Sequence, residues 1–157
     1  MRRDYFELDV ENVEWVDAGG DPAKPAVHID FHGPDGMLRD RLTDANGEPL
    51  DAEATDVSFR LHDDPDDPDA TGVVAVTNRV TGDFVLELNE DAEDVLRFIR
   101  AAREYGKSAD EGDGRYRVRI VIDGEPTAAY DKRTLLVYDA DGNLLRGESL
   151  IPSGVEL

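Results

Sequence analysis

Apolar and polar residues alternate along most of the chain, and this period of two is the pattern that most restricts the possible folds. It recurs in the segments YFELDV, AVHIDFH, DVSFRLH, DFVLEL and RYRVRIVI. Because successive side chains of a β-strand point to opposite faces of the sheet, each segment predicts a strand with one buried face. The sequence therefore predicts a chain built mainly from short strands.

Two segments depart from this simple alternation. The apolar positions change parity at Glu11-Asn12, which predicts a β-bulge that bends the first strand and lets it continue through Val13 and Trp15. Residues 37–42 have a weaker apolar pattern, and we predict a short strand there as well. Both segments are therefore expected to belong to the β-rich part of the chain.

Turn residues predict how neighbouring strands connect. Thr81-Gly82 separates two apolar segments, which predicts a β-hairpin whose second strand carries Phe84, Leu86 and Leu88 on one buried face. Asp123-Gly124 follows the segment RYRVRIVI and is typical of a two-residue hairpin turn. Most strand pairs are therefore predicted to be antiparallel.

One helix is predicted near the middle of the chain, at about residues 90–105. Asn89 can cap its first turn, acidic residues in that turn complement the helix dipole, and Gly106 can end it. Apolar residues at helical spacing form one stripe for the core: Ala92, Val95, Leu96, Ile99, Ala102 and Tyr105. The predicted fold class is α+β, a predominantly antiparallel β-sheet or sandwich of about eight to ten short strands with one mid-chain helix.

The chain has 157 residues, a formal net charge of −20 and no cysteine. This length predicts a single acidic, strand-rich domain over residues 1–157, since domains commonly have about 150 residues. Without cysteine the chain has no disulfide, thiolate metal site or cysteine nucleophile. The sequence has no apolar run long enough for a membrane span and no signal-peptide pattern at its start, which predicts a cytoplasmic protein without a membrane partner.

The kinds of charged residue are as informative as their number, because aspartate outnumbers glutamate 24 to 13 and arginine outnumbers lysine 14 to 3. A large negative charge repels phosphate groups, so nucleic acid is an unfavourable partner. Short carboxylates with few lysines favour a salt-rich cytoplasm, where a Debye length of roughly 3 Å at 1 M salt screens their mutual repulsion. We therefore expect a halophilic protein whose fold loosens in dilute buffer.

The opening segment MRRDYFELDVENVEWVD, together with the Asp-rich, Lys-poor remainder, resembles a group of small conserved proteins of salt-loving archaea that have no assigned function. The resemblance covers the whole chain. It implies a cytoplasmic, halophilic setting and supplies no catalytic residues.

Positive charge is concentrated in residues 95–119, which carry seven basic and four acidic side chains. Six arginines there fall into two rows, Arg97, Arg100 and Arg103 on the helix and Arg115, Arg117 and Arg119 on the following strand. Guanidinium groups bind carboxylate or phosphate in a bidentate manner, so these residues are the candidate site for an anionic partner. Pairing with carboxylates on a neighbouring strand is the simpler alternative.

Histidine and aspartate provide a second candidate site. His28, Asp30 and His32 alternate with apolar residues along one predicted strand, and His62 lies on the polar face of another. If those strands were neighbours, the four side chains could bind zinc or a similar ion. A solvent-exposed polar face accounts for the same pattern, because positions two apart on a strand are about 6.6 Å apart, which is wide for chelation.

The sequence contains no phosphate-binding glycine loop, no HExxH zinc motif and no nucleophile elbow. The leading hypothesis is therefore a non-enzymatic binding or assembly module without a cofactor, whose partner is a protein or a second copy of the chain paired through sheet edges. The alternative is a small zinc-dependent enzyme that uses the histidines and Asp30, with a metal-bound water as nucleophile.

Overall fold

The structure, a computed structural model, describes residues 5–34, 36–108 and 114–151. Its elements within these residues include eight strands, three α-helices and a turn of 3₁₀ helix at Ala52–Ala54. The strands are β1 (Phe6–Glu11), β2 (Ala26–Phe31), β3 (Thr55–Leu61), β4 (Thr71–Asn78), β5 (Phe84–Asp91), β6 (Tyr116–Ile122), β7 (Glu125–Lys132) and β8 (Leu136–Tyr138). The helices are α1 (Trp15–Ala18), α2 (Met37–Arg41) and α3 (Ala92–Ser108).

The strands form two four-stranded sheets. The first has the order β1-β2-β6-β7 with β2 and β6 parallel, and the second has the order β5-β4-β3-β8 with β3 and β8 parallel. The other neighbouring pairs are antiparallel, and β6 turns into β7 at Asp123 and Gly124, which have the positive φ values of a two-residue hairpin turn, 49° and 81°. The predicted turn and the predicted α+β, mostly antiparallel fold class are confirmed.

Both sheets contribute alternate side chains to one hydrophobic core. On β6 the alternate residues Tyr116, Val118, Ile120 and Ile122 are buried, and the residues between them are half-buried. Helix α3 adds Phe98, whose ring lies edge-on to that of Tyr116 with the centroids 5.4 Å apart. Because β6 turns its apolar side chains to this core, its arginines lie on the outer face of the first sheet.

Helix α3 is confirmed, but both of its ends differ from the prediction. Strand β5 continues through Asn89 to Asp91, so Asn89 is a strand residue and not a helix cap. Gly106 lies inside the helix, which continues to Ser108. A Cβ atom at Gly106 would overlap the side chain of Arg115, so the glycine lets Arg115 pack closely against the helix and does not end it.

Two segments that were predicted as strand are helical, so these predictions are wrong. Asn12 has a φ of 64°, which ends β1, and Trp15 begins α1. Gly36, with a φ of 81°, precedes α2. Leu38 and Leu42 are both buried, and their spacing of four residues places them on one face of a helix. The apolar period of this segment is therefore that of a helix.

The predicted β4–β5 hairpin is confirmed, but Phe84 does not lie on its buried face. The register shifts between Val76 and Thr77, so that Leu86 is opposite Val76 while Phe84 is opposite Thr77. Val85 is the extra residue of this bulge, and it is buried like Leu86. The bulge thereby turns the ring of Phe84 outward, and that side chain is half exposed.

Candidate functional site

A groove of about 490 Å³ lies between α1 and α3. It is lined by Trp15, Val16, Gly19 and Gly20 on one side and by Arg100, Arg103 and Glu104 on the other. The indole Nε1 of Trp15 donates a hydrogen bond to the carbonyl oxygen of Asn12, which fixes the ring at the end of β1. Gly19 has a φ of 72° and ends α1. The groove thus combines an aromatic side chain with two guanidinium groups.

The three arginines of α3 differ in their contacts. Arg97 Nε lies 3.0 Å from Asp17 Oδ2 of α1. Arg103 Nη2 donates a 3.0 Å hydrogen bond to the carbonyl oxygen of Ser149. Arg100 is exposed and makes no hydrogen bond or ion pair with the residues that the structure describes. Arg100 is therefore the guanidinium group of this row that remains accessible to another molecule.

The first two arginines of the strand row contact other parts of the chain. Arg115 packs against Gly106 of α3 and donates a hydrogen bond to the carbonyl oxygen of Gly114. Arg117 makes a bidentate pair with Asp131 on β7, with N···O distances of 3.0 and 3.1 Å. The hydrogen bonds from Arg117 lower the pKa of Asp131. Arg117 thus has the cross-strand carboxylate partner that the sequence left open as an alternative.

Arg119 lies beside His28 on the outer face of the first sheet. Arg119 Nη1 is 3.2 Å from His28 Nε2, and His28 Nε2 is also 3.2 Å from Glu11 Oε2. A single ring nitrogen either accepts a hydrogen bond from Arg119 or donates one to Glu11, but it does not do both. Beyond the end of β2, His32 Nδ1 is 3.8 Å from Asp123 Oδ1. His28 and His32 therefore each have a polar neighbour within the chain.

The histidines considered as metal ligands lie on different sheets. Strand β2, with His28 and Asp30, belongs to the first sheet, whereas His62 follows β3 of the second sheet. His62 Nδ1 is 3.3 Å from the hydroxyl oxygen of Thr71. In the ranges 5–34, 36–108 and 114–151, no three His, Asp or Glu side chains are grouped as metal ligands would be. The strands that the zinc hypothesis needs as neighbours are thus not neighbours.

Sequence reasoning missed Trp15 as a site residue, because the pattern placed it in a strand. The sequence does contain a signal for a short helical turn at this point. Asn12 is one of the few residue types that tolerate a left-handed conformation, and Gly19-Gly20 can end a helix. If these residues are taken as the boundaries of a helical turn, Trp15 lies on that turn and not in a strand.

Comparisons with known proteins give one family. A model described as "Family of unknown function (DUF5793)" matches residues 1–157 of the chain. No curated protein matches the chain, and no solved structure matches it. Searched over its described residues, the structure has no helix that is long and apolar enough to cross a membrane.

Proposed function

The chain belongs to this family of unknown function (DUF5793), and on that premise we propose that it is a non-enzymatic binding module of a salt-rich cytoplasm. Its binding surface is the groove between α1 and α3, and its ligand is an anionic segment of a partner protein. The module is one domain over residues 1–157 and needs no cofactor for this role.

The contacts of the six arginines carry this proposal. Five of them contact other groups of the chain: Arg97, Arg103, Arg115, Arg117 and Arg119. Arg100 alone of the six is exposed without such a contact in the described part of the chain. A guanidinium group forms two parallel hydrogen bonds with a carboxylate, which favours recognition of an acidic side chain. Arg100 is therefore suited to hold a carboxylate that another molecule supplies.

Trp15 adds an apolar surface to the same groove. The indole is half-buried, and its hydrogen bond to Asn12 holds the ring in place before any partner arrives. A side chain that is already ordered loses little entropy on binding. Tryptophan and arginine are also the residue types most enriched among side chains that dominate binding energies at protein interfaces. The pair formed by Trp15 and Arg100 thus supports a protein-binding role.

Salt concentration determines whether an acidic partner can approach. The net charge of −20 repels another acidic protein at long range in dilute buffer. At about 1 M salt the Debye length is roughly 3 Å. Salt therefore screens the long-range repulsion more strongly than it screens a direct contact between Arg100 and a carboxylate. We therefore expect binding to be tighter in high salt than in dilute buffer, the reverse of an ordinary complex between opposite charges.

The zinc-dependent enzyme is the less supported alternative, because β2 and β3 belong to different sheets. A zinc ion bound at a functional site would survive purification, so mass spectrometry of protein purified without a His tag tests this alternative. We expect less than about 0.1 equivalent of zinc. A stoichiometric ion would favour the enzyme instead.

The fluorescence of Trp15 provides a direct test, because this residue is the only tryptophan of the chain. The full-length protein is titrated with a short glutamate-rich peptide in about 2 M KCl, where long-range repulsion is screened. We expect the peptide to change the Trp15 emission spectrum. Arg100→Glu should weaken binding by at least roughly tenfold, which corresponds to about 1.4 kcal/mol.

Arg133→Glu is the matched control. Arg133 is also exposed and makes no ion pair with the described residues, but it lies directly after β7 and lines a different cleft. Both substitutions change the net charge equally, so only a specific site distinguishes them. If Arg133→Glu weakens binding as much as Arg100→Glu, or if Arg100→Glu binds like the wild type, the groove is not the anion site.

A further inference from the structure

A second cleft lies between the segment 40–51 and the β4–β5 hairpin and has a volume of about 650 Å³. Val80 and Phe84 line it from the hairpin, and Pro49 and Leu50 line it from the opposite side. Trp15 and the six arginines of residues 95–119 are not among its described lining residues. This cleft is therefore separate from the groove between α1 and α3.

The ring of Phe84 is held at the cleft by the backbone. Because of the bulge, Val85 and Leu86, the two residues after Phe84, are both buried in the core. The side chain of Phe84 therefore stays outside the core and is 50% exposed. Arg41 Nη1 donates a long hydrogen bond of 3.5 Å to the carbonyl oxygen of Phe84, which connects the strand to α2. An exposed aromatic ring on such a fixed backbone is a preorganised contact surface.

Exposed apolar side chains are concentrated at this place. Within residues 5–34, 36–108 and 114–151, the large apolar side chains that are exposed are Met37, Val80 and Phe84, with Val80 at 83%. Val80 and Phe84 line the cleft, and Met37 lies on α2, which contacts β5. Single apolar residues scattered over a surface are normal, so the distinguishing feature here is that two of these three side chains line the same cleft.

The charged residues of the cleft are mainly acidic. Asp40, Asp44, Asp51 and Asp83 line it, together with Arg41. Asp44 and Asp51 each accept backbone hydrogen bonds at one carboxylate oxygen, which fixes their orientation. An apolar surface with carboxylates in the same cleft favours a ligand that brings both apolar surface and positive charge.

We propose that this cleft is a docking site for a cationic segment of a partner protein, separate from the anion site at Arg100. An apolar side chain of the segment packs on Phe84 and Val80, and flanking lysine or arginine residues face Asp40 and Asp83. A second copy of this chain is a poorer occupant, because its own charge of −20 would add carboxylates to an acidic cleft. In high salt the apolar contact persists while the charge contacts are screened.

The test uses the full-length ¹⁵N-labelled protein and a short synthetic peptide of alternating lysine and leucine. We expect this peptide to shift the amide resonances of residues 40–51 and 78–85 more than those of the first sheet. A lysine–serine peptide and a glutamate–leucine peptide of the same length should each bind roughly tenfold more weakly, because each lacks one of the two required properties.

Variants of the cleft separate its apolar and charged parts. Phe84→Ala and Val80→Ser should each weaken binding of the lysine–leucine peptide by roughly three- to tenfold. Val80 is so exposed that its variant tests the cleft even if Phe84→Ala fails to fold. Asp40→Asn with Asp83→Asn should weaken binding in dilute buffer more than in about 2 M KCl. The matched control, Glu7→Gln with Asp9→Asn, removes two carboxylates from the first sheet and should leave binding unchanged.

Several outcomes would overturn the proposal. Equal affinity for the lysine–serine and lysine–leucine peptides would show that net charge alone accounts for peptide binding. Unchanged binding by both Phe84→Ala and Val80→Ser would show that no apolar side chain of the peptide packs on these two residues. A self-association that Val80→Ser abolishes in sedimentation experiments would assign the cleft to a second copy of the chain. Arg100→Glu should bind the lysine–leucine peptide like the wild type, so this test is independent of the test of the anion site.

Discussion

The ammonium group of Lys132 donates a 2.6 Å hydrogen bond to the carbonyl oxygen of Thr55, which links β7 of the first sheet to the first residue of β3 in the second sheet. The same Nζ atom donates to the carbonyl oxygen of Ala52, also at 2.6 Å. Lys132 is a buried charged residue, and this burial lowers its pKa because desolvation disfavours the charged form. One side chain thus donates to two carbonyl groups at the junction of the two sheets.

Lys132→Met should destabilise the fold while keeping a side chain of similar length. The carbonyl group of Thr55 then loses the ammonium donor, whereas that of Ala52 still accepts from the hydroxyl and the backbone N–H of Thr55. An unsatisfied buried acceptor costs about 1–3 kcal/mol. Urea unfolding of the variant and the wild type at neutral pH measures the difference. A loss below about 0.5 kcal/mol would show that water replaces the ammonium group without penalty.

The difference in the free energy of unfolding between the wild type and Lys132→Met should also depend on pH, which gives a second measurement. Because the pKa of Lys132 is lower in the folded state than in the unfolded state, the unfolded chain binds more protons in the window between the two values. The free energy of unfolding of the wild type relative to Lys132→Met should therefore rise with pH in that window, just below the ordinary lysine pKa. A difference that falls with pH there would contradict the assignment.

Asp131→Asn should destabilise the protein at neutral pH and have little effect in acid. Asp131 is paired with Arg117 and with Lys24, whose Nζ lies 2.7 Å away, and these partners keep the pKa of the carboxyl below its ordinary value. The stabilisation is therefore complete above the unfolded-state pKa and is lost as the pH falls through the folded-state pKa. Because the pair is partly exposed, we expect at most about 1 kcal/mol. A constant difference between about pH 7 and pH 2 would contradict this.

Glu90→Gln should stabilise the protein at neutral pH. Glu90 lies at a narrow apolar slot between the sheets and α3, and burial together with the nearby Asp94 raises its pKa. A raised folded-state pKa means that stability falls as the pH rises from the unfolded-state value through the folded-state value. Removing the charge should raise the Tm at pH 7, and more so in dilute buffer where Asp94 is less screened. A decrease in Tm would mean that the carboxylate itself is needed.

The Tm of the wild type should rise with KCl concentration. The chain carries 37 acidic against 17 basic side chains, so their repulsion weakens the fold unless salt screens it. Differential scanning fluorimetry between about 0.1 M and several molar KCl measures this effect. An unchanged Tm over that range would contradict adaptation to salt.

The strand positions could be predicted because alternation is a local property of each segment. The face that Val118 or Ile120 occupies depends only on its neighbours in the chain, and both are buried as the pattern predicts. The outward position of Phe84 could not be predicted in this way. It depends on a register shift against Val76 and Thr77, and register is decided by the pairing of two strands.

The candidate site shows the same division between local and distant information. Spacing places Arg100 and Arg103 in one row on α3, which the sequence predicts correctly. Which arginine remains accessible depends on partners that are far away in the sequence, such as Asp17 for Arg97 and Ser149 for Arg103. Such pairing requires the topology, which the sequence pattern does not provide.

The parallel pairing of β2 with β6 also bears on how the chain folds during synthesis. Ile29 lies opposite Ile120, and β3, β4 and β5 are synthesised between these two residues. The meander of β3, β4 and β5 can therefore form on the ribosome while β2 still lacks its inner neighbour, because local pairing involves shorter loops. Until β6 emerges, the open edge of β2 must avoid pairing with other nascent chains. The charged side chains of Asp30 on β2 and of Glu7 and Asp9 on β1 hinder such aggregation.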